Sequence, residues 1–75
     1  MKKLSDLKIG EKAVVTAVHG EGAVRRRLFD MGITPGAEVY LRKKAPLGDP
    51  MDIAIRGYEL TLRKIEANNV EVKEC

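Results

Sequence analysis

The sequence contains very little cysteine, histidine or aromatic residue, and it has no tryptophan. Its 75 residues include one cysteine, Cys75, one histidine, His19, and three aromatics, Phe29, Tyr40 and Tyr58. A single cysteine excludes an intramolecular disulfide and is typical of a protein in a reducing cytoplasm. One cysteine and one histidine are too few ligands for a dedicated zinc or iron–sulfur site. We therefore expect no resident metal and no cofactor.

Long apolar runs and a dominance of one charge are also absent. No stretch approaches the roughly 18 apolar residues of a membrane-spanning helix, and the segment after Lys2 and Lys3 lacks the apolar region of a signal peptide. The 14 Lys and Arg side chains exceed the 11 Asp and Glu side chains by a net charge of only +3. This length and composition predict one small cytoplasmic domain spanning residues 1–75, without membrane insertion.

What the sequence does contain is an apolar period of two, which is typical of half-buried strands. An earlier run, residues 13–18, consists mostly of β-branched residues and predicts a strand buried on most of both faces. Gly57 predicts a tight hairpin, and the prolines at 46 and 50 predict a loop. We expect five short strands, at residues 13–18, 38–43, 51–56, 59–63 and 69–73.

One segment, residues 23–31, breaks this period. Val24, Leu28 and Met31 are spaced i, i+4 and i+7, which places them on one stripe of a helix. Gly32 fits the left-handed position that follows a helix C-terminus. Five strands with one short helix inserted after the first predict a mainly β fold, a small and partly open barrel.

The sequence RRLFDMGITPGAEV at residues 26–39 resembles the signature of the ferrous iron transport protein A (FeoA) family. The opening at residues 4–11, the loop at 46–50 and the segment 56–72 are similar to further family motifs in the same order. The resemblance implies an SH3-like barrel that serves as a cytoplasmic accessory to the large membrane ferrous iron transporter, an FeoB-like protein with a GTPase domain. The same module occurs in iron-dependent metalloregulators behind a helix-turn-helix. Because the sequence starts at Met1 without room for one, we favour a free-standing transporter accessory.

Three consecutive arginines, Arg25, Arg26 and Arg27, equal the whole net charge of +3. Successive residues of a helix lie about 100° apart, so these side chains fan over most of its polar surface. One interpretation is a solvated face on which Arg27 covers the edge of the core. A second is a docking surface for an acidic partner. A third, bolder interpretation is an arginine finger for the partner's GTPase site.

Phe29 lies about 140° from Val24 on the helical wheel, away from the apolar stripe. An exposed aromatic beside Arg25 is typical of an interface anchor, and the alternative is local packing. Arg26 and Asp30 have the i, i+4 spacing of a helical ion pair. We predict that the surface binding the transporter is formed by Arg25, Arg26, Phe29 and Asp30.

Other functions have less support in the sequence. A weak iron contact of His19 with Glu21, or with Asp49 and Asp52, is an alternative to a plain surface histidine. The sequence has no phosphate-binding glycine loop and no nucleophile–base constellation, so we expect neither GTP binding nor an enzyme. A metalloregulator-type module and a small nucleic-acid-binding barrel remain alternatives, although three aromatics are few for stacking on bases. Exposed strand edges leave weak homo-oligomerisation open.

Overall fold

The computed structural model describes residues 2–47 and 49–74, so the predictions that involve Met1, Gly48 and Cys75 lie outside the described residues. Within these ranges, six strands form one antiparallel sheet with the order β1-β6-β2-β3-β4-β5. A short 3-10 helix and two α-helices connect them. The elements are β1 Lys2–Lys3, the 3-10 helix Leu4–Asp6, β2 Lys12–Val18, α1 Gly22–Asp30, β3 Glu38–Lys44, β4 Met51–Ile55, β5 Tyr58–Leu62, α2 Lys64–Ala67 and β6 Val70–Glu74.

All five expected strands are present within about one residue of their predicted ends, and the mainly β, partly open barrel is confirmed. The prediction lacked β1, which pairs with β6 through Lys2 opposite Val72. Two charged residues carry no apolar period, so β1 leaves no signal in the sequence. The prediction also lacked α2, whose four residues are too few to show a helical stripe.

The prediction that β2 is buried on most of both faces is wrong. Ala13, Val15 and Val18 are buried, whereas Thr16 is exposed. The register against β6 shifts between Val15 and Ala17 because the strand bulges there. Alternation already points Thr16 out to solvent, and the bulge then brings Val18 instead of Ala17 to the core, so that one face of the strand is buried throughout.

Helix α1 confirms the predicted helix to within one residue at each end, and Gly32 follows it with a φ of +91°. Its buried side differs from the predicted stripe. Leu28 is fully buried and Phe29 and Met31 are partly buried against the core, but Val24 is 37% exposed. The helix packs on the core through Leu28, Phe29 and Met31 at its C-terminal end, so Val24, one turn before Leu28, is less covered than the stripe predicts.

The core lies inside the curled sheet, where the inward side chains of the strands meet. Ile53 of β4 and Leu62 of β5 are completely buried, and so are Leu4 and Leu7 of the N-terminal segment. Leu28 completes the core from the helix side. A chain of this length has few apolar side chains to spare, and burying them here leaves the outer surface largely polar.

The hairpin between β4 and β5 has the tight two-residue turn that Gly57 predicts. Arg56 and Gly57 both have left-handed backbone, with φ of +50° and +84°. Two left-handed residues match the twist of a two-residue antiparallel hairpin. In this turn the Arg56 guanidinium donates a hydrogen bond to the Thr34 hydroxyl at 3.0 Å. The hairpin is thereby attached to the segment that follows α1.

Within the described residues β1 and β5 do not pair with each other, so the sheet stays open between them. Helix α1 is anchored near both ends of β5. The Tyr58 hydroxyl, at the start of β5, donates to the Met31 carbonyl at 2.6 Å. Just past its other end, Glu66 Oε2 lies 3.3 Å from Arg27 Nε. These two contacts hold α1 to the β4–β5 hairpin and to α2.

Candidate partner-binding surface

The first two turns of α1 have no contact with the core. Residues 21–27 are all exposed, and the Glu21 side chain makes no hydrogen bond to the helix N-terminus that it precedes. A nine-residue helix is marginal in water without packing. The contacts of Leu28, Phe29 and Met31 therefore stabilise the helix and leave its first two turns exposed to solvent.

Phe29 and Arg25 form one stacked unit on this helix. The Arg25 guanidinium carbon lies 5.1 Å from the centroid of the Phe29 ring, within the range of a cation–π contact. The other side of the ring packs against the core, which makes Phe29 half-buried. A shallow groove of about 270 Å³ runs between Gly22, Arg25, Arg26 and Phe29. The ring therefore packs locally and also lines an open surface, and its role as an interface anchor stays a prediction.

The charges on α1 are only partly neutralised. Arg27 lies beside the buried carboxylate of Glu66, whose other oxygen accepts the Arg63 backbone N–H at 3.0 Å. The predicted ion pair of Arg26 with Asp30 is not formed, since no salt bridge among residues 2–47 and 49–74 joins them. Within the same ranges Arg25 and Arg26 have no carboxylate within salt-bridge distance.

The structure thus places all four predicted residues, Arg25, Arg26, Phe29 and Asp30, on one short helix. It brings Arg25, Arg26 and Phe29 together at one groove. Asp30, in the last helical position, does not line that groove. We call these four residues the α1 surface.

One residue that sequence reasoning missed, Tyr58, helps to determine the position of this surface. The Tyr58 hydroxyl, which donates to Met31, also lies over Gly32, where an added Cβ would approach it to 2.5 Å. Such an approach is possible only for glycine. The sequence signal was limited to the glycine that follows a helix, and nothing in it identified Tyr58 as the contact.

His19 does not join the carboxylates that were considered for a weak iron contact. Its Nε2 lies 3.2 Å from Glu71 Oε1, a partner that the sequence did not suggest. Asp49 accepts the Lys64 N–H at 2.9 Å, and Asp52 accepts the Thr61 hydroxyl at 2.8 Å. In the described part of the chain no three His, Cys, Asp or Glu side chains converge as metal ligands would.

The three aromatic side chains lie on three different elements. Phe29 is on α1, Tyr40 is on the outer face of β3, and Tyr58 is held by Met31. A platform for stacked bases needs neighbouring exposed rings, and this arrangement does not supply one.

The N-terminal segment forms a separate ionic network. Lys2 donates hydrogen bonds to Glu11 and to Glu74, and Glu11 also accepts the Lys8 backbone N–H at 2.9 Å. The hydrogen bond from Lys2 is the main cause that lowers the pKa of Glu11 below its ordinary 4.5, and the Lys8 N–H lowers it further. The bond to Glu11 likewise raises the pKa of Lys2 above 10.5. The network joins β1 to the start of β2 and takes no part in the α1 surface.

None of the helices in the two described ranges has the length and apolar character needed to cross a membrane.

The fold and its exposed helix define a class of protein, the small SH3-like barrel with one helix inserted after an early strand. Residues 2–74 match the sequence model of the FeoA domain. The chain therefore belongs to the FeoA family.

Solved structures of relatives support this assignment. The chain is 46% identical to the FeoA protein of Chlorobium tepidum, covering 97% of this chain and 70% of that chain with a TM-score of 0.89. It is 34% identical to the FeoA of Stenotrophomonas maltophilia, a procaryotic SH3 domain protein crystallised with zinc, covering 97% of this chain and 91% of that chain with a TM-score of 0.85.

A curated relative is much longer. The Fe(2+) transport protein A/Fe(2+) transporter FeoB fusion protein of Porphyromonas gingivalis is 37% identical over 71 residues, which is 95% of this chain. The chain spans only 8% of that relative.

Proposed function

We propose that this protein is a cytoplasmic accessory of ferrous iron uptake that binds the GTPase-bearing part of an FeoB-like membrane transporter. The observation that carries the proposal is the fusion relative, in which a region matching 95% of this chain belongs to the same polypeptide as an FeoB transporter. Two activities joined in one polypeptide act within a short distance of each other. A separate chain of the same family needs a binding surface to achieve the same proximity.

The α1 surface supplies that binding surface. Arginine and aromatic residues are enriched in the cores of protein–protein interfaces, where they carry most of the binding energy. Phe29 is held against the barrel core and stacked by Arg25, so little side-chain entropy is lost when a partner covers it. Arg25 and Arg26 add positive charge that favours an acidic partner and speeds its association.

The accessory acts by contact alone in this proposal, and it supports or regulates transport through the position that it imposes on the transporter. Arg25 stacks on Phe29 and Arg27 lies beside Glu66, so an arginine finger would have to be Arg26, and no contact in the described residues directs Arg26 toward a phosphate. A docked α1 surface is the simpler account. The iron is carried by the transporter, and no residue of this chain is assigned to it.

The test is binding of the purified chain to the isolated cytoplasmic part of the cognate transporter, measured by calorimetry. Substitution of Arg26→Ala with Phe29→Ala is expected to weaken binding at least about tenfold, since each interface anchor of this type is worth more than about 1 kcal/mol. The matched control, Tyr40→Ala with Arg42→Ala, removes one exposed aromatic and one arginine from β3 instead. The control is expected to bind within about twofold of the wild type.

Because Phe29 also packs on the core, folding of each variant is checked by its thermal unfolding before binding is compared. A folded Arg26→Ala, Phe29→Ala variant that binds normally and restores full ferrous iron uptake in cells would exclude the α1 surface. Absence of binding by the wild type would exclude the direct contact with the transporter altogether.

A further inference from the structure

A second exposed surface lies where the β3–β4 loop meets the junction of β5 and α2. The last paired row of this part of the sheet is Lys44, Met51 and Leu62, so the chain segments beyond these residues emerge at the same end of the barrel. The two segments are tied together, because Asp49 Oδ1 accepts the Lys64 backbone N–H at 2.9 Å.

Two aliphatic side chains protrude from this end. Leu47 is 91% exposed and Ile65 is 72% exposed, higher values than for any other large apolar residue in the described ranges. One exposed aliphatic residue is ordinary on a protein surface. Here two such residues lie on segments that a hydrogen bond joins, in a chain that buries most of its other large apolar side chains. This combination indicates an interaction surface.

Four cations accompany them: Lys43, Lys44, Arg63 and Lys64. None of these four takes part in a salt bridge within residues 2–47 and 49–74. The nearby carboxylates are occupied otherwise, since Asp49 accepts a backbone N–H and Asp52 accepts the Thr61 hydroxyl. The four cations outnumber these two carboxylates, so the net charge of this end is positive. We call Lys43, Lys44, Leu47, Arg63, Lys64 and Ile65 the lysine patch.

We propose that the lysine patch binds the surface of a membrane that contains anionic lipids. The composition favours a bilayer over a protein partner, because lysine is depleted in protein interfaces and this patch has three lysines and no aromatic residue. Separate aliphatic side chains insert between headgroups, while ammonium and guanidinium groups remain at the phosphate level. The chain lies on the bilayer in this arrangement and does not span it.

The inference does not depend on the proposed function, although it fits a protein that works beside a membrane transporter. Binding through two aliphatic side chains and four cations is weak and reversible, since stable anchoring requires more buried apolar area. It increases the concentration of the chain near the membrane. It uses neither Phe29 nor the arginines of the α1 surface.

The test is co-sedimentation of the full chain with vesicles of phosphatidylcholine alone and of phosphatidylcholine mixed with phosphatidylserine. The wild type is expected to bind the mixed vesicles and not the neutral ones. Lys43→Gln with Lys64→Gln is expected to lower the partition coefficient about 30-fold, from about a fivefold loss per cation near an anionic surface. Leu47→Ser with Ile65→Ser is expected to lower it about tenfold.

Two control variants separate a specific patch from general attraction of a basic protein. Arg25→Gln with Arg26→Gln removes the same amount of charge from α1, and Val24→Ser removes an exposed apolar residue there. Both are expected to keep the partition coefficient within about threefold of the wild type, because the proposal places the lysine patch, and not α1, at the level of the lipid phosphates.

Three results would overturn the proposal. The first is a wild type that does not bind mixed vesicles. The second is an equal fall in the partition coefficient for the α1 control variant and the lysine variant. That result would mean nonspecific attraction of a basic protein to the vesicles. The third is a lysine variant that binds vesicles normally but loses the isolated cytoplasmic part of the transporter, which would assign the patch to a protein partner. All of the substituted side chains are exposed, and half-buried Lys44 is left unchanged, so the variants are expected to fold.

Discussion

The α1 surface and the lysine patch are both exposed and basic, yet their chemistry differs. The α1 surface combines arginines with an aromatic ring that is stacked and half-buried. The lysine patch combines mainly lysines with aliphatic side chains that are largely exposed to solvent. The first combination is typical of a rigid protein interface, and the second of a surface that meets lipid headgroups. Net charge alone would have assigned both to the same kind of partner.

The two surfaces also differ in how the fold positions them. The α1 surface depends on contacts between residues far apart in sequence, chiefly Tyr58 with Met31 and Gly32. The lysine patch depends on the ends of paired strands and on one hydrogen bond between Asp49 and Lys64. Substitutions that disturb α1 are therefore expected to change stability and partner binding together. Substitutions of the exposed residues in the patch are expected to leave stability almost unchanged.

Among the substitutions that separate the two surfaces, Gly32→Ala is expected to have the largest effect. The new Cβ would meet the Tyr58 hydroxyl at 2.5 Å, and the backbone φ of +91° strains any L residue. We expect the free energy of unfolding in urea to fall by about 2–4 kcal/mol. Partner binding through the α1 surface is expected to weaken as well, with vesicle binding unchanged for the folded fraction.

Gly36→Ala is the matched control for this substitution. Its φ of +92° is almost the same, but nothing lies within 4 Å of an added Cβ. Its free energy of unfolding is expected to fall by only about 1 kcal/mol, which is the cost of the left-handed backbone alone. Equal losses for the two variants would show that the contact of Gly32 with Tyr58 adds nothing.

A smaller effect is expected from Tyr58→Phe, which removes only the hydroxyl. Loss of the 2.6 Å hydrogen bond to the Met31 carbonyl is expected to lower the free energy of unfolding by about 1 kcal/mol. Hydrogen exchange of the α1 amides is expected to accelerate, whereas exchange in β6 follows global stability. Tyr40→Phe serves as the control, because no hydrogen bond of the Tyr40 hydroxyl is found among the described residues. An unchanged α1 exchange rate in Tyr58→Phe would show that this hydrogen bond does not hold α1 in place.

The smallest effect is a pH dependence that involves neither surface. The folded-state pKa of Glu11 is lowered below 4.5, so its contribution to stability is present above that pH and is lost as the pH falls through the folded-state pKa. Lys2 contributes below pH 10.5, and this contribution is lost as the pH rises through its raised folded-state pKa. Glu11→Gln is expected to make the acid decline of the unfolding midpoint shallower. An identical acid profile for wild type and variant would contradict this assignment.

The sequence was a good guide to the sheet for a specific physical reason. Strands buried on one face show the apolar period directly, so β3, β4, β5 and β6 were predictable. The hairpin was predictable as well, because a two-residue turn needs left-handed backbone and Gly57 provides it. The helix was predictable from its spacing and from the glycine that follows it.

The rest required the three-dimensional arrangement. A helical stripe shows which residues share a face, but not how much of the helix rests on the barrel, so Val24 was wrongly expected to be buried. Tyr58 lies 26 positions beyond Gly32 in the sequence, and only the folded hairpin brings them together. Leu47 and Ile65 fall in segments without a period and gave no signal of a shared surface.

The most direct test of the central claim is to map the contact with the transporter by NMR, for which a chain of 75 residues is small enough. Backbone amide shifts of the labelled protein are followed while the unlabelled cytoplasmic part of the transporter is added. The account predicts that the largest changes fall on residues 22–30, with little change at residues 43–47 and 63–65. Changes concentrated on the outer face of β2 and β3, with α1 unaffected, would contradict it.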